Sequence, residues 1–206
     1  MKILFATRNK HKIREVRTIF NNVSALKILD LDEVGLEYRD CEDSLEPFDT
    51  FEENAISKAT YFNQISGLPT LSDDSGLVVD CLGGAPGVNS KRFSPWSEED
   101  LLSRDESNNR FLVESLRTFP DIEWTARYVC VVVLMTIKQN IRVTKGEVEG
   151  RVLERSRGKG GFGYDPHFLV GETDLTFAEM SDQEKNRLSH RGKAFQNLLE
   201  VIKGDI

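Results

Sequence analysis

The sequence lacks any apolar run long enough to cross a bilayer. A membrane-spanning helix needs about 20 consecutive apolar residues, and the longest run here, residues 129–135, is a short β-branched stretch that suits a buried strand. The first eight residues carry too brief an apolar segment for a secretory signal, so the expected location is the cytoplasm. A surplus of positive charge is also missing. Lys and Arg number 27 against 34 Asp and Glu, a net charge of −7, which weighs against a protein that wraps a nucleic-acid backbone. It leaves room for a small anionic substrate, because a pocket needs only local positive charge. Cysteine is scarce: Cys41, Cys81 and Cys130 are odd in number and far apart, so neither a disulfide framework nor a zinc site is indicated. Internal repeats, low-complexity segments and a Walker G-x-x-x-x-G-K-[ST] loop are absent too.

The 206 residues suffice for one large domain or two small lobes with a sizeable core. A strand is expected over residues 2–6, then a helix from about Lys10 with Ile13, Val16, Ile19 and Phe20 on one face. A second strand is expected over 27–31. Residues 50–66 read as a helix: Thr50 and Glu53 form a capping box, Phe51, Ala55, Ala59 and Phe62 recur at helical spacing, and Gly67 and Pro69 end it. Residues 71–73 and 77–79 read as short strands around a tight polar turn. A helical region is expected from Ser97 to about Phe119, in pieces. Strands follow over 124–138 and 141–148, joined by a Gln139-Asn140 turn. Ser181 and Glu184 form another capping box, and a last helix is expected over 189–203, with Ala194, Leu198 and Val201 inward and Gly204 as its stop. This mixture predicts an α/β fold with a long mixed sheet.

Four clusters carry chemistry. Thr7-Arg8-Asn9-Lys10-His11-Lys12 follows the first strand and opens a helix, where outward backbone N–H groups favour anions, and Thr7, Asn9, Lys10 and Lys12 add donors. That composition suits a phosphate cradle; a solvated basic turn would look similar. The acidic set comprises Glu46, Glu52, Glu53 and Asp73-Asp74-Ser75-Gly76. Such residues can be helix caps and turn formers, but carboxylates beside a phosphate cradle also suit Mg²⁺. In residues 158–166, glycines allow close backbone approach and the aromatics Phe162 and Tyr164 offer faces for a base, although a flexible loop with two anchoring aromatics has the same composition. Lys185 and Ser189-His190-Arg191-Gly192-Lys193 place positive donors at a helix start, against the dipole, as a functional site would; a solvated basic face is the plain alternative.

Read together, these strings resemble the inosine/xanthosine triphosphate pyrophosphatases, a family acting on non-canonical purine nucleoside triphosphates. The resemblance runs in register through Ala6–Lys12, Phe51-Glu52-Glu53-Asn54-Ala55 with Lys58-Ala59, Asp73-Asp74-Ser75-Gly76-Leu77 into Leu82-Gly83-Gly84-Ala85-Pro86-Gly87-Val88, Gly161-Phe162-Gly163-Tyr164-Asp165-Pro166, Lys185 and Ser189-His190-Arg191. It covers nearly the whole chain. It implies an elongated α/β fold, one domain over residues 1–206 with two lobes around a central substrate cleft, commonly a homodimer that uses Mg²⁺. It implies that Thr7, Arg8, Asn9, Lys10, His11 and Lys12 lie in the triphosphate-binding turn and that Glu46 and Asp74 hold metal. Asp74 further matches the proton acceptor and Ser75 a substrate contact. Phe162, Gly163, Tyr164 and Asp165 match the base-binding loop, while Lys185, His190 and Arg191 match residues that close over the purine. Arg8 stands where relatives often have glycine, and either adds phosphate charge or restricts the turn.

The reaction so implied hydrolyses ITP, dITP or XTP to the monophosphate and pyrophosphate, with no nucleic-acid or membrane partner. A pyrophosphatase of similar architecture acting on other nucleotides is the nearer alternative. A nucleotide sensor without turnover is the more distant one, and the carboxylates argue against it, because a pure triphosphate binder gains nothing from added negative charge unless metal is present.

Overall fold

A computed structural model describes residues 1–21, 23–97 and 100–203. The elements run β1 (Lys2–Phe5), α1 (Lys10–Phe20), β2 (Lys27–Leu29), α2 (Phe51–Ser66), β3 (Thr70–Val79), α3 (Arg104–Leu116), β4 (Thr125–Met135), β5 (Ile141–Val152), β6 (Phe168–Val170), α4 (Asp182–Leu188) and α5 (His190–Ile202). A six-stranded sheet has the order β2-β1-β3-β4-β5-β6. β1 lies parallel to β2 and to β3, and β6 pairs antiparallel to β5, so the sheet is mixed, as the sequence pattern predicts. No helix among the described residues is long and apolar enough to cross a membrane.

The chain divides into two compact units. Unit 1 comprises Met1–Asp74, Cys130–Gly146 and the chain from His190; unit 2 comprises Ser75–Val129 and Glu147–Ser189. In unit 1, α1 presents Ile13, Val16 and Phe20, one helical face, to a core that includes Ile3, Phe5, Leu71, Cys130, Val132, Phe195 and Leu198. Phe195 meets Phe5 and Phe20 edge-on, with ring centroids 5.7 and 5.9 Å away. In unit 2, Leu77, Val79, Leu112, Leu116, Tyr128, Val148, Phe168 and Phe177 form a second core.

Local chemistry accounts for most boundaries. The Asn9 side chain accepts from the His11 and Lys12 amides and caps α1. Thr50 accepts from the Glu53 amide at the start of α2, and Gly67, at φ +67°, ends that helix in the left-handed conformation. Ser181 and Glu184 form the capping box of α4.

Several expectations are corrected. β3 is one strand of ten residues with no turn at Asp73-Asp74. Its polar residues stay extended because both carboxylates find partners from other elements, and Gly76 serves close approach: a Cβ there would stand 2.2 Å from the Gly87 carbonyl oxygen. α3 starts at Arg104 because Ser103 and Glu106 form its capping box. Ser97 and Asp100 bond each other in a separate turn, and residues 98–99 lie outside those described. β5 continues to Val152, and β6 is a three-residue strand too short to show periodicity. On α5 the inward side chains are Ala194, Phe195, Leu198 and Ile202, while Val201 is half exposed. Gly204 lies outside the described residues.

Candidate active site

The first candidate cluster belongs wholly to unit 1. The turn from β1 into α1 is tied internally, with the Asn9 amide donating to Thr7 Oγ1 at 3.2 Å. Arg8 turns to the 36–42 segment. Its Nε and Nη2 donate to the two oxygens of Glu42 at 3.0 and 2.8 Å, and its Nη1 donates to the Leu36 carbonyl at 2.9 Å. A two-toothed guanidinium–carboxylate pair of this kind fixes geometry as well as charge. Of the two roles open to Arg8, restricting the turn is the one this arrangement serves. Lys10 is exposed and pairs with Asp32, and His11 is exposed at the first turn of α1.

Lys12 points inward. Its Nζ lies 2.9 Å from Asp73 Oδ2, and that same oxygen accepts from Arg191 Nε at 3.2 Å. Arg191 also donates from Nη1 to Glu15 at 2.6 Å, and its side chain is almost completely buried. Burial opposes the charge on Asp73, but Lys12, Arg191 and Lys58 outweigh it and hold the carboxyl well below the usual range. Its Oδ1 is buried without a hydrogen-bond partner among the described residues. Cys130, 3.8 Å from Asp73 Oδ2, has its thiol pushed up by burial and by the neighbouring carboxylate, so it is an unreactive core residue.

Asp74, the next residue on β3, is set differently. Its Oδ2 accepts from Asn54 Nδ2 at 3.1 Å, and burial raises its pKa despite Lys58 and Lys12. Lys58, one turn after Asn54 on α2, donates to Glu46 Oε1 and to the Asp73 carbonyl, the latter at 2.6 Å. Burial works against its charge, but Glu46, Asp74 and Asp73 together raise its pKa. Glu46 in turn is lowered, because Lys58 overcomes the effect of burial. The structure thus brings Lys12, Glu46, Asp73, Asp74 and Arg191 of the expected site into one charge network and adds Asn54, Lys58 and Glu15. The signal for Asn54 and Lys58 was present in the sequence. They occupy the same helical face as Ala55, Ala59 and Phe62, and polar residues on a buried face need partners.

The second cluster, residues 161–165 with Lys185, belongs to unit 2, whereas His190 and Arg191 belong to unit 1. Gly161 and Gly163 take φ of +72° and +60°, open to glycine at little cost. Between them the Phe162 amide donates to Asp165 Oδ2 at 2.8 Å, and the same oxygen receives Lys185 Nζ at 2.7 Å. A Cβ on Gly161 would stand 2.1 Å from that oxygen, so the loop closes over its carboxylate only with glycine there. Lys185 also lies 4.6 Å from the centre of the Phe162 ring, a cation–π contact. Tyr164 is buried and donates its hydroxyl to the Ser90 carbonyl at 2.8 Å; burial, and then Asp105, push its pKa up, so it remains a donor. Lys185 sits in the last turn of the short α4, where the dipole favours a cation, while His190 and Arg191 open α5 and Arg191 is offset by Glu15 and Asp73. Ser75 is half-buried at the first position of this unit.

Fold and clusters together define a mixed-sheet α/β protein with a cationic turn after its first strand and a glycine-rich aromatic loop after its fifth. A family model described as the Ham1 family matches residues 3–201, and the chain belongs to that family. It is 41% identical to the dITP/XTP pyrophosphatase of Symbiobacterium thermophilum, over 98% of this chain and 94% of that one. It is 42% identical to the dITP/XTP pyrophosphatase of Geobacter sulfurreducens, over 98% and 96%. Among solved structures, a HAM1 protein from Coxiella burnetii matches with a TM-score of 0.84 at 33% identity, covering 99% of each chain.

Proposed function

We propose that this protein is a nucleoside triphosphate pyrophosphohydrolase that converts ITP, dITP and XTP to the monophosphate and pyrophosphate. The observation that carries the reading is that relatives named dITP/XTP pyrophosphatase align with it at about 40% identity over almost their whole length. The charge network of unit 1 supplies suitable chemistry. Water attacks the α-phosphorus, the bond from that phosphorus to the bridging oxygen breaks, and pyrophosphate leaves. Asp74, whose burial raises its proton affinity, takes the proton from water. Lys12 changes partner from Asp73 to the phosphates and, with Lys10 and the Thr7–Asn9 turn, offsets their charge.

The donor set fits a divalent cation. Four carboxylates (Glu15, Glu46, Asp73, Asp74) face three cations (Lys12, Lys58, Arg191), leaving the network one negative charge in excess. No three His, Cys, Asp or Glu side chains gather into a ligand group among the described residues; Mg²⁺ requires only one or two carboxylates when substrate phosphates complete its shell. Asp74 and Glu46 would hold it, and it would neutralise charge building on the phosphates. In unit 2, Phe162 offers a stacking face and Lys185 a donor to the 6-keto oxygen that hypoxanthine and xanthine carry and adenine lacks. His190 and Arg191 belong to the same reading as purine contacts, which requires Arg191 to leave Glu15 or Asp73. The proposal includes a single catalytic domain over residues 1–206, a homodimer and a cytoplasmic location.

Incubation with ITP, dATP and dUTP plus Mg²⁺ tests the reading. ITP is expected to give IMP and pyrophosphate well ahead of the other two. A preference for dUTP, or binding of ITP without turnover, contradicts it.

A further inference from the structure

Helix α3 carries two side chains that grip the backbone of Gly163 from both sides. Asp105 Oδ2 accepts from the Gly163 amide at 2.7 Å, and Asn109 Nδ2 donates to the Gly163 carbonyl at 2.8 Å. The two residues are four apart, one helical turn, so they project from the same face. The Ser103–Glu106 capping box fixes the start of that helix immediately before Asp105. Gly163 itself sits at φ +60°, which glycine takes at little cost and leaves as easily, so the two bonds define its conformation. Asn109 gives a further sign. Its Oδ1 is buried with no partner among the described residues, an unfavourable arrangement for a residue kept only for stability.

We infer that Asp105 and Asn109 are positioning residues for base selection. By fixing the Gly163 peptide, they set the angle at which the preceding Phe162 ring and the Asp165–Lys185 pair are presented. The inference rests on the reading of residues 161–165 as the base-contacting loop. Both bonds of the clamp go to the Gly163 backbone and stay within unit 2. Loss of the clamp is therefore expected to change which base is preferred and to leave phosphate recognition intact.

The test uses the full chain and the variants Asp105→Ala, Asp105→Asn and Asn109→Ala, with kcat/KM measured for ITP and ATP with Mg²⁺. Inhibition by inorganic tripolyphosphate serves as a base-free control, and amide exchange of the 157–166 segment as a readout independent of activity. Asp105→Ala and Asn109→Ala are expected to lower the ITP:ATP ratio roughly 5–20-fold, mainly through KM for ITP, about the effect of losing one well-placed hydrogen bond. Tripolyphosphate inhibition stays at the wild-type value, and exchange of the segment quickens. Asp105→Asn keeps an acceptor oxygen and restores the ratio. Asn109→Ala removes an unpaired buried acceptor along with its bond, so Tm holds while selectivity falls, a separation that a merely structural role would not give. A ratio that stays at the wild-type value, or ITP and ATP falling by one common factor, overturns the inference. So does exchange unchanged in both Ala variants. An inactive wild type on ITP removes the functional reading and this inference together, whereas an active wild type whose variants keep their ratio removes this inference alone.

Discussion

The network around Asp73 and the loop around Gly163 hold their side chains by different means. In unit 1 charge does the holding: Asp73 Oδ2 receives Lys12 and Arg191, Lys58 bridges Glu46 to the Asp73 carbonyl, and Arg191 continues to Glu15. In unit 2 the backbone is held directly, through the amides of Phe162 and Gly163 and the Gly163 carbonyl, around glycines in the left-handed region and the buried pair Asp165–Lys185. Losing one member of the first region leaves a buried charge uncompensated. Losing one bond of the second leaves the charge balance intact and alters geometry. On the proposed function this is a division between handling phosphate charge, which is common to every nucleotide, and reading base shape, which is not.

The sharpest division within unit 1 is between neighbours on β3. Asp74→Asn is expected to lower kcat roughly 10²–10⁴-fold, the range for loss of a general base. Its Tm should remain near wild type, because the amide still offers an oxygen to Asn54. Turnover close to wild type would show that Asp74 only packs the strand. Arg191→Ala comes next, and its effect falls on folding. Truncating one partner of a buried ion pair costs about 3–5 kcal/mol, and here Glu15 and Asp73 each lose one cation, Asp73 keeping Lys12. Urea unfolding measures it; an unchanged midpoint would mean that water or movement already satisfies both.

Acid unfolding separates the adjacent aspartates by sign. The folded pKa of Asp73 lies below its ordinary value of 3.8, so its stabilisation is complete above that value and is lost as pH falls beneath it. Asp74 is raised, so its contribution is greatest when protonated and is lost as pH rises through its folded pKa. Asp73→Asn should therefore be less stable than wild type near neutrality and lose less on acidification. A parallel pair of stability–pH curves would break the comparison. The smallest contrast is between two lysines of one turn. Lys12→Ala should weaken ITP, dITP and XTP by a common factor, whereas Lys10→Ala, whose exposed pair with Asp32 is screened by solvent, should leave Tm unchanged and weaken the three substrates by a smaller common factor. A base-dependent loss in Lys12→Ala would move that residue out of the phosphate set.

Much of the framework was legible because its signals are local. The Thr50 cap of α2, the Ser181–Glu184 box and the Ile13-Val16-Phe20 face each need only a few consecutive residues, and each stands where the pattern places it. The hairpin turn comes earlier than the pattern places it: β4 ends at Met135, and the chain turns over 136–139, with the Gln139 amide donating to the Thr136 carbonyl. The continuous β3 was not legible, because Asp73-Asp74-Ser75-Gly76 has turn-forming composition and its strand conformation depends on partners far along the chain, Arg191 being 118 residues away. Lys58 was part of the family resemblance, yet its role as the bridge between Glu46 and β3 emerges only from the folded arrangement. Asp105 and Asn109 gave no signal: on an amphipathic helix they read as solvated polar residues, and their function lies in backbone groups 58 and 54 residues distant.

The central claim is that water attacks the α-phosphorus of a non-canonical purine triphosphate. Hydrolysis of ITP with Mg²⁺ in ¹⁸O-labelled water, with products resolved by ³¹P NMR or mass spectrometry, tests it directly. IMP and pyrophosphate are expected, with the label in IMP and none in pyrophosphate. Label in the pyrophosphate would place attack at the β-phosphorus, and IDP with orthophosphate as the main products would place it at the γ-phosphorus; either result contradicts the account.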